Sequence, residues 1–170
     1  MTARAGVSLL VALAALLAIR TAQAEPAVIR LSSVSVETAL KAASAALADC
    51  RVKGALVAVA VTDRSGIVLA LLRDPLAGMH TPDTATRKAW TAVSFRSATS
   101  VLEKATAAAT DSNGIRQLPG VAMIGGGLPI VAAGQQVGAI GVSGAPSGKL
   151  DEACAQTGLA AVRDDLELGP

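Results

Sequence analysis

The chain has 170 residues, with 15 lysines and arginines against 13 aspartates and glutamates, and its aromatic side chains are limited to one tryptophan and one phenylalanine. Scattered cations with no aromatic platform to stack bases on exclude a nucleic-acid groove or a single-strand binder. A core built from alanine, valine, leucine and isoleucine must pack its backbones closely to leave no voids.

At the N-terminus, Arg4 precedes an apolar run from Gly6 to Ile19, and Ala22-Gln23-Ala24 supplies the small residues a signal peptidase cuts after. Residues 1–24 are therefore predicted to be a secretory signal peptide, because the run is shorter than the roughly 18 to 20 residues that span a bilayer. An uncleaved anchor, with Arg20 as its flank, is the competing reading. Cleavage after Ala24 leaves residues 25–170 as one periplasmic or secreted domain, and removing Arg4 and Arg20 brings cations level with anions. In such a compartment Cys50 and Cys154 either form a disulfide or stay as two buried thiols. Both alternatives stand at this point.

From Ser35 to Cys50, Val36, Leu40, Ala43, Leu47 and Cys50 recur at helical spacing, with Ser35 as N-cap. A β-hairpin follows around Asp63-Arg64-Ser65-Gly66. Both faces of its first strand are apolar, with Val57, Val59 and Val61 on one side and Leu56, Ala58 and Ala60 on the other. Each face needs a cover, from helices, a ligand or a second copy of the chain.

Thr81 as N-cap, Pro82 at N1 and Asp83 in the first turn predict a helix to about Phe95. Its apolar side is Ala85, Ala89, Trp90, Ala92 and Val93, and Arg87, Lys88, Thr91 and Ser94 lie opposite. Ser100-Val101-Leu102-Glu103 reads as the capping box of a short helix, and residues 109–119 as loop. Three consecutive antiparallel strands are predicted at Val121 to Ile124, Leu128 to Ala132 and Val137 to Ser143. A last helix, about Lys149 to Asp165, has Leu150, Ala153, Cys154, Thr157 and Ala161 on one stripe. Helix, hairpin, two helices, three strands and helix make an α+β domain.

Chemistry-bearing constellations are few. Gly125-Gly126-Gly127 has no following G-K-[ST] and reads as a tight connection, not a phosphate loop. Asp63 and Asp74 bracket the second strand as turn residues. His80, the only histidine, stands beside Met79 just before a helix, either as an ordinary loop residue or as an axial ligand to haem iron. Arg87, Lys88 and Thr91 share a helix face suited to the two carboxylates of a haem, or to plain solvation.

D-R-S-G at Asp63 to Gly66, R-K-A-W-T-A at Arg87 to Ala92, G-G-L-P-I at Gly126 to Ile130 and G-A-I-G-V-S-G-A at Gly138 to Ala145 together resemble the GlcG/HbpS-like haem-binding family. The resemblance implies a profilin-like domain with a five-stranded antiparallel sheet flanked by helices, assembled into symmetric oligomers, with octamers the expected form. It also implies haem as cofactor, sequestered or degraded. His80 is then the iron ligand, Thr91 the alternative, and Arg87 and Lys88 partners of the haem carboxylates. Other readings compatible with the family are an accessory protein or enzyme acting on a small organic acid of the glycolate type, and an oligomeric structural module.

Overall fold

The computed structural model describes residues 27–167. The predicted signal peptide lies outside the described residues. Contacts divide the chain after Leu31; the described residues of the first unit, 27–31, carry no helix or strand, and every element belongs to the unit from Ser32 onward.

That unit contains α1 (Val36–Val52), β1 (Ala58–Asp63), β2 (Val68–Arg73), α2 (Thr81–Phe95), α3 (Thr99–Ala105), a 3-10 turn (Asn113–Gln117), β3 (Gly127–Ala132), β4 (Gln135–Ser143), α4 (Gly148–Ala160) and α5 (Arg163–Glu167). The strands form one antiparallel sheet in the order β2-β1-β4-β3. The architecture is α+β with four strands, not the five expected. Residues 121–124 do not join the sheet, because their neighbourhood spends its backbone donors on helix side chains. Ala122 N donates to Thr91 Oγ1 at 2.9 Å and Gly125 N to Glu103 Oε2 at 3.0 Å.

Both faces of β1 are covered within the chain. Val57, Val59 and Val61 pack with α1 and α4 in the main core, and Ala58 and Ala60 pack under Ala85 of α2. Cys50 of α1 and Cys154 of α4 are disulfide-bonded inside that main core, with Cα atoms 5.5 Å apart. On the other face α2 lies directly on a glycine track. A Cβ at Gly141 would collide with the Ala85 carbonyl, and one at Gly127 with the Lys88 carbonyl. Gly127 and Gly141 are register partners in β3 and β4, so the two bare positions make a single seat for the helix.

Several helix details differ from the sequence reading. The buried stripe of α1 is Ala39, Ala42, Ala43, Ala46, Leu47 and Cys50, leaving Val36 and Leu40 about half exposed. Small side chains win the inner face because α1 approaches α4 backbone to backbone, with Gly158 against the Ala42 carbonyl. In α4 the buried stripe is Asp151, Cys154, Ala155 and Gly158, and the helix stops at Ala160 before α5 begins. The residue preceding α2 is His80, and the Thr81 hydroxyl donates to the Gly78 carbonyl instead of capping the helix. Ser100 caps nothing: α3 begins at Thr99, whose hydroxyl accepts from Gly127 N at 2.8 Å, and Glu103 serves Gly125.

Candidate functional site

The helix face predicted to be open is divided by the fold. Arg87 is exposed and forms an i,i+4 ion pair with Asp83 at 2.9 Å. Lys88, one residue on, points inward: its side chain is 2% exposed, and Nζ donates to Asp151 Oδ2 at 2.7 Å and to the Val142 carbonyl at 2.9 Å. Thr91 is also fully buried, with its hydroxyl accepting from Ala122 N. The wheel failed for these two because α2 sits low on the glycine track, which draws polar flanks of the helix into contact with β3, β4 and α4. In the folded chain the Lys88 ammonium is bonded to Asp151 and Val142, and the Thr91 hydroxyl to Ala122 N.

Thr91 nevertheless shapes a site. By holding Ala122 it fixes residues 121–124 as a wall standing off α2. Between that wall and the helix is a cleft of about 330 Å³ lined by Asp83, Thr84, Arg87, Arg116 and residues 121–124. Arg116 reaches it from the 3-10 turn. Its Nε donates to the Thr106 carbonyl at 2.5 Å and its Nη2 to the Glu103 carbonyl at 2.6 Å, so it clasps the C-terminal end of α3. That clasp holds the guanidinium in place at the edge of the cleft. Two guanidiniums therefore edge one hollow, a geometry suited to carboxylates.

His80 lies outside the lining but on the same helical stripe, one turn before Thr84 and two before Arg87. Thr84 N and Thr84 Oγ1 both bond the His80 carbonyl at 3.0 Å, which ties the histidine backbone to the helix start. The imidazole is exposed and folds over Gly78, where a Cβ would be 2.8 Å from Cε1. Met79 beside it is 93% exposed.

Two members of the site region gave little sign in the sequence. Arg116 sits in a stretch without periodicity, and only the fold shows that it reaches the α3 carbonyls. Asp151 lies next to Glu152 on a helix whose buried stripe falls one position beyond the one its apolar spacing predicts. Burial pushes the Asp151 carboxyl above the ordinary carboxylate range, with the Lys88 ammonium and the Ala145 N–H, which donates at 3.0 Å, pulling it back. Across the sheet, the hydrogen bond from Arg51 holds Asp74 below that range despite burial. Among the described residues no group of three histidine, cysteine, aspartate or glutamate side chains could hold a metal ion. No helix among them is long and apolar enough to cross a membrane.

Fold and cleft together define a domain with an antiparallel sheet covered by helices and a cation-edged hollow beside its central helix. The family model described as "Haem degrading protein HbpS-like" matches residues 34–160, and the chain belongs to that HbpS-like family. A solved double mutant of HbpS from Streptomyces reticuli is 41% identical, over 79% of this chain and 90% of its own, with a TM-score of 0.75. ORFY of Klebsiella pneumoniae is 26% identical over 81% and 96%, with a TM-score of 0.78. PduOC, solved as a haem complex, is 27% identical over 76% and 94%, with a TM-score of 0.70. No curated protein matches the sequence significantly.

Proposed function

We propose that the chain is an exported haem-binding protein whose site is the cleft beside α2. The observation that carries the reading is the pair of guanidiniums, Arg87 and Arg116, edging one cleft in a chain of the HbpS-like family. A PduOC relative solved with haem supports it. At about 330 Å³ the cleft is at the small end of ligand pockets, which run from about 300 to 1,000 Å³. It would enclose the carboxylate-bearing edge of a porphyrin, not the whole ring. The rest would lie along the exposed stripe toward His80, whose imidazole is the iron ligand in this reading. Lys88 and Thr91 act from behind, bracing the helix and the wall. In this reading residues 1–24 act as a signal peptide, and the binding takes place in the periplasm or outside the cell.

Self-association belongs to the same proposal. β2 and β3 are open edges of the sheet, and Ile67, Leu76 and Met79 are 65%, 80% and 93% exposed around the β2 edge. An apolar open edge of this kind invites pairing with a second copy. An octamer is the form the family resemblance suggests, and solution mass tests it.

Haem titration followed in the Soret band tests the site. Arg87→Ala should weaken binding by about 1.5 to 3 kcal/mol for the charge-assisted bond lost, and His80→Ala should alter the spectrum. If a small organic acid saturates the cleft and haem does not, the guanidinium pair serves that acid instead.

A further inference from the structure

A larger hollow, of about 930 Å³, opens on the other side of Arg116. Two helices wall it with stripes of identical spacing, Ser100, Glu103, Lys104 and Ala107 from the α3 side and Lys149, Glu152, Ala153 and Gln156 from α4, and Arg116, held by the α3 carbonyls, and Gly125 complete the lining. Both sets run i, i+3, i+4, i+7, the spacing of one helix face. Each stripe carries an acid and a base, which would pair across the gap if the helices were close. They do not close on each other. Among the described residues neither Lys104 nor Lys149 has a carboxylate within 4.0 Å. Glu103 is occupied by Gly125 N, whereas Glu152 Oε2 is shielded from water and has no donor. A buried carboxylate oxygen without a donor is costly, and the volume is that of a site for an organic molecule.

We propose that this hollow is a second binding site, distinct from the cleft beside α2, for a small zwitterion such as an amino acid or short peptide. The ligand's ammonium meets Glu152 and its carboxylate meets Lys104 and Lys149, with Ala107 and Ala153 giving the apolar part of the lining. A singly charged anion would leave Glu152 bare, and a simple amine would leave both lysines unpaired. Only a ligand carrying both charges closes the electrostatic gap between the two stripes.

Calorimetric titration of the full chain with tri-L-alanine, at millimolar concentration, tests this. Saturable binding is expected, weakened about 10- to 100-fold when the peptide is N-acetylated or C-amidated, and likewise by Glu152→Gln or Lys149→Ala. Lys149 is exposed and Glu152→Gln keeps the shape of a half-buried side chain, so both variants should leave the circular dichroism unchanged. Haem affinity should also be unchanged in Glu152→Gln, so failure here and failure of the haem reading are separable. Absence of saturation, or equal binding of the free and capped peptides, would overturn the proposal.

Discussion

Lys88 and Asp151 close an ion pair inside the domain: Nζ and Oδ2 are 2.7 Å apart, with side chains 2% and 5% exposed. The pair joins α2 to α4, and the lysine also bonds the Val142 carbonyl of β4, so one ammonium ties three elements together. Gly126 stays bare for this reason: a Cβ there would be 2.7 Å from Asp151 Cβ and 3.0 Å from Lys88 Nζ. Removing one partner strands the other charge in the interior. Lys88→Met or Asp151→Leu alone should each cost about 3 to 5 kcal/mol in denaturant unfolding, and the double substitution should recover most of the loss. Additive losses would mean the two side chains act independently.

The pH dependence of stability should carry two opposite signatures. Asp151 is raised in the fold, so between the ordinary carboxylate value and its own the native state holds a proton the unfolded chain has released. Stability then falls as pH rises through that window, and Asp151→Asn should remove the slope. Asp74 is lowered, so its contribution is present above the ordinary value and is lost as pH falls through the depressed one. Asp74→Asn should flatten the acid limb of the profile. Unfolding curves at a series of pH values read both.

The disulfide bridges residues 104 apart in sequence, a long loop to close in the unfolded chain. Cys50→Ala with Cys154→Ala should lower stability by roughly 2 to 5 kcal/mol. Thermal denaturation of the two forms measures it.

Close packing of α2 on its glycine seat predicts an uneven response to alanine. Gly141→Ala should cost about 1 to 3 kcal/mol, because the new Cβ would run into the α2 backbone at the Ala85 carbonyl and Ala89 N, not into a flexible side chain. Gly114, with open space around its Cβ position, should accept alanine with little change. Equal effects at the two positions would contradict the seat.

Thr91 distinguishes wall from ligand. Thr91→Ser keeps an acceptor for Ala122 N and should preserve stability, whereas Thr91→Val strands that N–H at a cost of about 1 to 3 kcal/mol. Chemical denaturation of both variants checks the difference.

The hairpin and α1 were legible because each is specified locally, by the Asp63-to-Gly66 turn and by the Ser35 cap, whose hydroxyl does accept from Thr38 N. The need to cover both faces of β1 was also readable from its unbroken apolar composition, and helices of the same chain meet it. What escaped was set by approach distance. Glycines at 127 and 141 let α2 sink until Lys88 and Thr91 became interior, and no helical wheel contains that depth. Residues 121–124 have a strand's composition, yet Thr91 and the Glu103 carboxylate offered side-chain partners nearer than a strand edge. Arg116 became part of the site only because the 3-10 turn folds back on α3. Its binding surface is tertiary and has no local signature.

The most direct test of the central claim compares haem with haem dimethyl ester, whose carboxylates are masked, on the wild type and on Arg87→Ala. Haem should bind the wild type more tightly than the ester does, and Arg87→Ala should shrink that preference about tenfold or more. If haem and its ester bind equally well and Arg87→Ala changes neither, the cleft beside α2 is not where the carboxylates go, and the site assignment is wrong.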